Sequence, residues 1–185
     1  IYTRDASIVT DSGVILCNMG KKERREEPSA QNNFYIDCGT PVLGRIEGSG
    51  TLEGGDVTWL SRNTLVVGLG YRTNHEGIEQ LSTLLGPEID VITVPMPHFR
   101  GPEDVLHLMS ILSLIDDDLA VVYSPLMPVY FRKFLIEKGF DLVDIAEEEY
   151  DSQACNILAV APRVCVMAEG SPKTYEKLRN KGVQV

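Results

Sequence analysis

Short apolar runs and stretches of helical period follow one another along this chain in a fixed order. Val57 to Leu60, the turn Ser61-Arg62-Asn63 and Leu65 to Leu69 read as two strands, HEGIEQLSTLLG (75–86) as a helix, and Val91 to Val94 as a third strand. The order returns with Ile111 to Ile115, the turn Asp116-Asp117-Asp118, Leu119 to Tyr123, the helix MPVYFRKFLIEKG (127–139) and Leu142 to Ile145. It returns again with Ile157 to Val160, Ala161-Pro162-Arg163, Val164 to Met167, the helix SPKTYEKLRNKG (171–182) and a strand at Val183 to Val185. Ser7 to Thr10 and Val14 to Cys17 give the front half of an earlier copy, because the polar stretch GKKERREEPSAQNN (20–33) follows where later copies have a plain helix. A period of roughly 45 to 55 residues suits a supersecondary module.

Gly86 before Pro87, Gly139 and Gly182 each follow the last apolar helical position, which is where a helix stops. The pattern predicts an α/β fold of repeated ββαβ modules. A single module cannot bury its own sheet face, so neighbours must pack about a shared axis and leave a central pocket. The alternative is an ordinary α/β sandwich. The chain starts at Ile1 without Met, already in a strand-like pattern, and stops at GVQV as another strand begins. One domain over 1–185, incomplete at both ends, is the expectation.

Composition narrows the partners. With 17 basic and 27 acidic residues the formal net charge is -10, which disfavours nucleic acid as a partner and leaves small molecules or proteins. No run approaches the ~18 apolar residues of a membrane span and no signal peptide is recognisable, so neither a membrane nor export is expected. Cys17, Cys38, Cys155 and Cys165 are widely spaced without a CxxC pair, and three lie in apolar runs. Buried free thiols in a cytoplasmic protein fit that usage.

Polar residues gather where the chain enters or leaves strands: YTRD (2–5), ERREE (23–27), LEGGD (52–56), GYRTN (70–74) and VLHLMS (105–110). If equivalent module ends converge, Asp5, Glu53, Asp56, His107, Arg24 and Arg72 face one another. Clustered carboxylates want a cationic ligand and the arginines an anionic group, a combination that suits a zwitterion with a second positive charge, such as arginine or a relative. Each residue also has an ordinary reading. Asp5 suits a turn, Glu53 a solvated loop, and His107 between Leu106 and Leu108 a core strand. Arg24 and Arg25 suit a wet charge run, and Arg72 lies beside Asn74, a good helix N-cap. His75 and His98 read as surface residues.

Taken in order, these segments resemble the guanidino-group modifying superfamily of arginine deiminases, dimethylarginine dimethylaminohydrolases and amidinotransferases. YTRD resembles the RD segment, ERREE the RRxE segment, LEGGDV the EGGD motif, GYRTN the GxSxRTN segment, and HLMS the catalytic His motif. The resemblance implies a partial five-bladed α/β-propeller (pentein). It further implies an amidinohydrolase or deiminase that works through a covalent amidino-thioester with no metal and no organic cofactor. Under it Glu53 and His107 are catalytic, Asp5 and Asp56 serve the guanidinium end of the substrate, and Arg24 and Arg72 hold its α-carboxylate. The implied partner is a small guanidine, with self-association into a homo-oligomer left open. Amidino transfer, or a non-catalytic binding protein on the same propeller, such as a ribosome anti-association factor, are the alternatives.

Two departures shape the expectation. Gly70 takes the Ser position of GxSxRTN, with Tyr71 before the Arg, and Met109 stands two residues after His107 where deiminases and amidinotransferases carry Asp. The second change favours a dimethylargininase-like member. The nucleophilic cysteine implied by the resemblance is expected beyond Val185. Cys155, in ACNILAV, reads as core.

Overall fold

The strand–strand–helix–strand order recurs from the first residues onward in the computed structural model, which describes residues 3–185. Ile1 and Tyr2, where the opening strand-like pattern was placed, lie outside the described residues. The chain divides into two compact units, the first reaching His107 and the second running Leu108–Val185.

In the first unit β1 (Ser7–Thr10) and β2 (Gly13–Leu16) pair antiparallel with Ile8 opposite Ile15, α1 spans Glu27–Asp37, and β3 (Val42–Arg45) returns parallel to β2. The next module repeats this with β4 (Val57–Ser61), β5 (Thr64–Leu69), α2 (His75–Leu85) and β6 (Asp90–Pro95), where β5 and β6 pair in parallel from Thr64 to Leu69. A parallel return needs a crossover long enough to hold a helix, which is why each helix sits between the second and third strands. The second unit contains β7 (Leu112–Asp116), β8 (Leu119–Val122), α3 (Val129–Glu137) and β9 (Asp141–Asp144). It closes with the hairpin β10 (Leu158–Ala161) and β11 (Val164–Val166) and with α4 (Pro172–Asn180).

Three expectations are corrected. The first module is complete, not half: α1 and β3 are both present. They were illegible because α1 buries only Pro28 and β3 leaves Val42, Leu43 and Arg45 exposed, so neither carries an apolar period. The strand expected over 183–185 is only an isolated parallel bridge, Val164 to Gln184. His107 is not in a strand; Leu108–Ser110 after it form a 3-10 turn.

The stop signals hold. Gly86, Gly139 and Gly182 have φ of 82, 92 and 77°, and a Cβ at any of them would meet nothing within 4 Å, so the backbone angle alone asks for glycine. Asn74 caps α2, its Oδ1 accepting the Gly77 N–H at 2.9 Å. The first unit's core joins Ile8, Ile15 and Cys17 of the first module to Val57, Leu65, Val67, Ile78 and Leu81 of the second. In the second unit Leu112, Leu119, Val121, Phe131, Leu135 and Leu178 are buried.

All four cysteines are free thiols, Cys17, Cys155 and Cys165 buried and Cys38 exposed. Among the described residues no helix is long and apolar enough to cross a membrane.

Candidate active site

Turns and loops of the first unit, not its strands, carry the charged side chains that meet. Asp5 lies in the 3-10 turn Thr3–Ala6 before β1, and Asp56 ends the turn Gly54–Asp56 before β4. Arg24 ends the turn Lys22–Arg24 ahead of α1, Arg72 follows β5, and His107 closes the segment after β6. All six candidates named from sequence are drawn together. Asp5, Glu53, Asp56, Arg72 and His107 are each at most 5% exposed, which removes the solvated-loop reading of Glu53. A buried charge costs several kcal/mol unless it is paired and hydrogen-bonded, so the partners carry the meaning.

Glu53 is the hub. Its Oε2 lies 2.9 Å from His107 Nε2, and since a carboxylate only accepts, Nε2 carries the proton of that bond. Its Oε1 accepts the Lys21 backbone N–H at 3.1 Å, and the Arg72 and Arg24 guanidiniums each come within 3.5 Å of its oxygens. Burial by itself pushes the Glu53 carboxyl up; the His107 hydrogen bond and charge, the Lys21 amide and Arg72 outweigh it and hold the group below its usual range. His107 shows the mirror image. Burial pushes the imidazole down, but the bond to Glu53 and the charges of Asp56, Asp5 and Glu53 bring it above its ordinary 6.5. Each partner thus favours the charged form of the other.

The glycines of the EGGD segment leave room for this meeting. A Cβ on Gly55 would lie 2.4 Å from His107 Nδ1 and 2.8 Å from Asp5 Oδ1, and one on Gly54 would strike the Arg4 carbonyl oxygen at 2.0 Å. Any side chain at 55 pushes the histidine and the aspartate off their positions.

Three contributors went unread in the sequence. Glu27 grips Arg24 at two points, Nε to Oε1 at 2.9 Å and Nη2 to Oε2 at 2.7 Å, which directs Arg24 Nη1 onto Asp5 Oδ2 at 2.8 Å. The two-point bond to Glu27, and after it Asp5, raise the Arg24 pKa against the effect of burial. Glu27 stands three residues after Arg24, a spacing that brings side chains together and was the available signal. The second contributor is the Lys21 amide, invisible to any reading of side chains. The third is Thr73, fully buried between Glu53 and Asp56.

Asp5, Glu53 and His107 offer three ligand atoms within 4.8 Å of one another. The guanidinium of Arg24 already lies against two of these acids and Arg72 against one, so the cradle is matched to planar nitrogen cations and does not read as a metal centre. Cys17 is buried near the same acids, and burial followed by the charges of Asp5 and Glu53 keeps its thiol well above its ordinary value.

The comparisons with known proteins place the chain among guanidino-group modifying enzymes. Residues 1–130 match the family model described as Arginine deiminase, and the chain belongs to that family. It is 29% identical to an N(G),N(G)-dimethylarginine dimethylaminohydrolase of Streptomyces coelicolor, over 98% of this chain and 64% of that protein. It is 26% identical to an arginine deiminase of Mycobacterium bovis, over 100% of this chain and 54% of that protein. The chain thus spans between about half and two thirds of the length of these relatives. Among solved structures, a Cys-to-Ser mutant of dimethylarginine dimethylaminohydrolase from Pseudomonas aeruginosa, complexed with citrulline, superposes with a TM-score of 0.82 at 26% identity, over 100% of this chain and 67% of that one. The fold is a partial pentein, matching about two thirds of that structure.

Proposed function

We propose that the protein hydrolyses the amidine C–N bond of arginine or an N-methylated arginine. The observation that carries the reading is the buried Glu53–His107 pair at 2.9 Å with Asp5 facing the same glycine. A substrate guanidinium takes over the Asp5 and Glu53 oxygens that Arg24 now approaches, and Arg24, released from Asp5, turns with Arg72 toward the α-carboxylate. A cysteine thiolate attacks the guanidinium carbon. The C–N bond to the leaving amine breaks as His107 gives that nitrogen its proton, leaving an amidino-thioester on sulfur. Water, losing a proton to His107, then attacks the same carbon; the C–S bond breaks and a ureido product departs. Glu53 keeps the imidazole protonated for the first step and oriented for the second.

The reading calls for a cysteine outside residues 1–185. Cys17, Cys155 and Cys165 are buried with thiols raised by burial, and a raised thiol is a poor source of thiolate. Cys38 is exposed at the far end of α1, about 16 Å along the helix from Glu27, which holds Arg24 at the site. Met109, where deiminases carry a second acid, supports a substrate with one nitrogen already substituted. The relatives' names, a deiminase and a dimethylaminohydrolase, and the citrulline in the solved relative agree with this substrate class.

The test is turnover of arginine, methylated arginines and agmatine by the full-length protein, read as ureido product and released amine or ammonia. Dimethylarginine is expected to lead. Absence of turnover on every guanidine, with the cysteine present, leaves a binding protein and ends the hydrolase reading.

A further inference from the structure

We propose that the Thr73 hydroxyl is the positioning element of this site: it ties the two acids of the EGGD turn together and so fixes Glu53 against His107. Thr73 is 0% exposed, and its Oγ1 accepts the Glu53 backbone N–H at 3.2 Å and donates to Asp56 Oδ2 at 2.7 Å. The direction is forced. A hydroxyl has one proton, the amide can only donate, and the carboxylate can only accept. The hydroxyl therefore stands as a one-way link from the start of the turn to its end, while the Asp56 N–H to Glu53 C=O bond at 2.9 Å closes the same turn through the backbone.

Thr73 is itself rigidly placed. Its carbonyl accepts the Gly70 N–H at 3.0 Å, and its neighbour Asn74 bonds Thr51 twice, through Asn74 N–H to Thr51 C=O at 3.1 Å and Thr51 N–H to Asn74 Oδ1 at 2.9 Å. Residues 73 and 74 thus form a strip against which 51 to 53 are registered, and the hydroxyl is the contact of that strip that reaches the reacting pair's own residue. One consequence concerns Asp56. With Oδ2 committed to Thr73, it holds the turn and adds negative charge beside the imidazole. A valine keeps the shape of threonine and loses both bonds, leaving a buried N–H and a buried carboxylate oxygen each short of one partner.

The inference rests on the reading of Glu53 and His107 as the acid–base pair, but its test needs no turnover. The imidazole of His107 is titrated by NMR in the parent chain and in Thr73→Val and Thr73→Ser, its signal assigned by its loss in His107→Gln; His75 and His98 are the other two histidines. The groups that set this titration are Glu53, Asp56 and Asp5 around the ring, with Arg72 and Arg24 on Glu53. Thr73→Val is expected to lower the His107 midpoint toward its ordinary value and to speed exchange of the Glu53 amide. Thr73→Ser, which keeps the hydroxyl, is expected to restore both. A valine variant with the parent's midpoint and amide protection overturns the proposal, and so does a serine variant that fails to restore them. If valine does not fold, Thr73→Ala is read the same way. If neither folds while serine does, the hydroxyl is a folding bond and the positioning role is overturned.

Discussion

Glu53 and Glu149 are both buried glutamates held below the usual carboxylate range, and they do opposite things. Glu149 spends its oxygens on the start of one helix: Oε1 accepts the Lys173 N–H at 2.8 Å, and Oε2 accepts the Thr174 N–H at 2.9 Å and the Thr174 hydroxyl at 2.6 Å. Burial pushes its carboxyl up, and these donors, none able to titrate near neutral pH, bring it back down. They satisfy groups that every helix N-terminus leaves open. Glu53 instead faces an imidazole, two guanidiniums and one amide. Burial and a lowered pKa therefore do not distinguish a reacting acid from a structural one. What does is whether the partners can titrate, move or be exchanged for a ligand.

Substitutions sharpen that contrast, and the largest effect belongs to the first unit. In the full-length protein His107→Gln or Glu53→Gln is expected to cut kcat by roughly 10² to 10⁴ with the fold retained, the usual range for positioned proton transfer, measured per folded molecule alongside the melting temperature. A destabilised His107 variant with normal turnover removes it from the mechanism. Next comes Arg72→Ala. Loss of a charged hydrogen bond to the carboxylate, about 1.5 to 3 kcal/mol, is expected to raise KM for arginine-type substrates roughly 10- to 100-fold and to leave agmatine, which has no carboxylate, nearly unchanged. Equal effects on both substrates argue against that assignment.

Glu149→Ala supplies the other half. It orphans the α4 start and is expected to lower stability by about 1 to 3 kcal/mol, a fall of several degrees in Tm, with kcat per folded molecule unaltered. A loss of kcat there breaks the comparison. The smallest effect is in the pH profile of stability. His107 is raised in the folded state, so its contribution is complete below its ordinary 6.5 and is lost as pH rises through the raised value. Glu53 and Glu149 are lowered, so theirs are complete above their ordinary 4.5 and are lost as pH falls through the depressed values. Denaturant titrations at several pH values should show His107→Gln flattening the alkaline limb and Glu149→Gln only the acid limb.

The modules were legible wherever an element buries one face against a core. Leu65 to Leu69 and HEGIEQLSTLLG announce themselves because Leu65, Val67, Ile78 and Leu81 all point into the same cluster. Where burial is shared poorly, as in α1 and β3, the pattern vanishes and the first module looked half-built. The six site residues could be named because their motifs are compact, yet the motifs are silent on what each side chain touches. ERREE does not say that Glu27 turns Arg24 onto Asp5, and RTN does not say that Thr73 lies between two acids.

The sequence by itself determined the repeat, the helix ends at Gly86, Gly139 and Gly182, the Asn74 cap and the family, because these depend on local backbone preference and on residues close together in the chain. Only the tertiary structure decided which buried acid faces an imidazole and guanidiniums and which one caps a helix, and that His107 is paired with a carboxylate. Those outcomes depend on partners 19 to 54 residues away, Arg24 and Asp5, Arg72 and Glu53, His107 and Glu53, brought within reach by folding. The energy of a charge is set by what surrounds it in space, and the chain order of its neighbours does not record that.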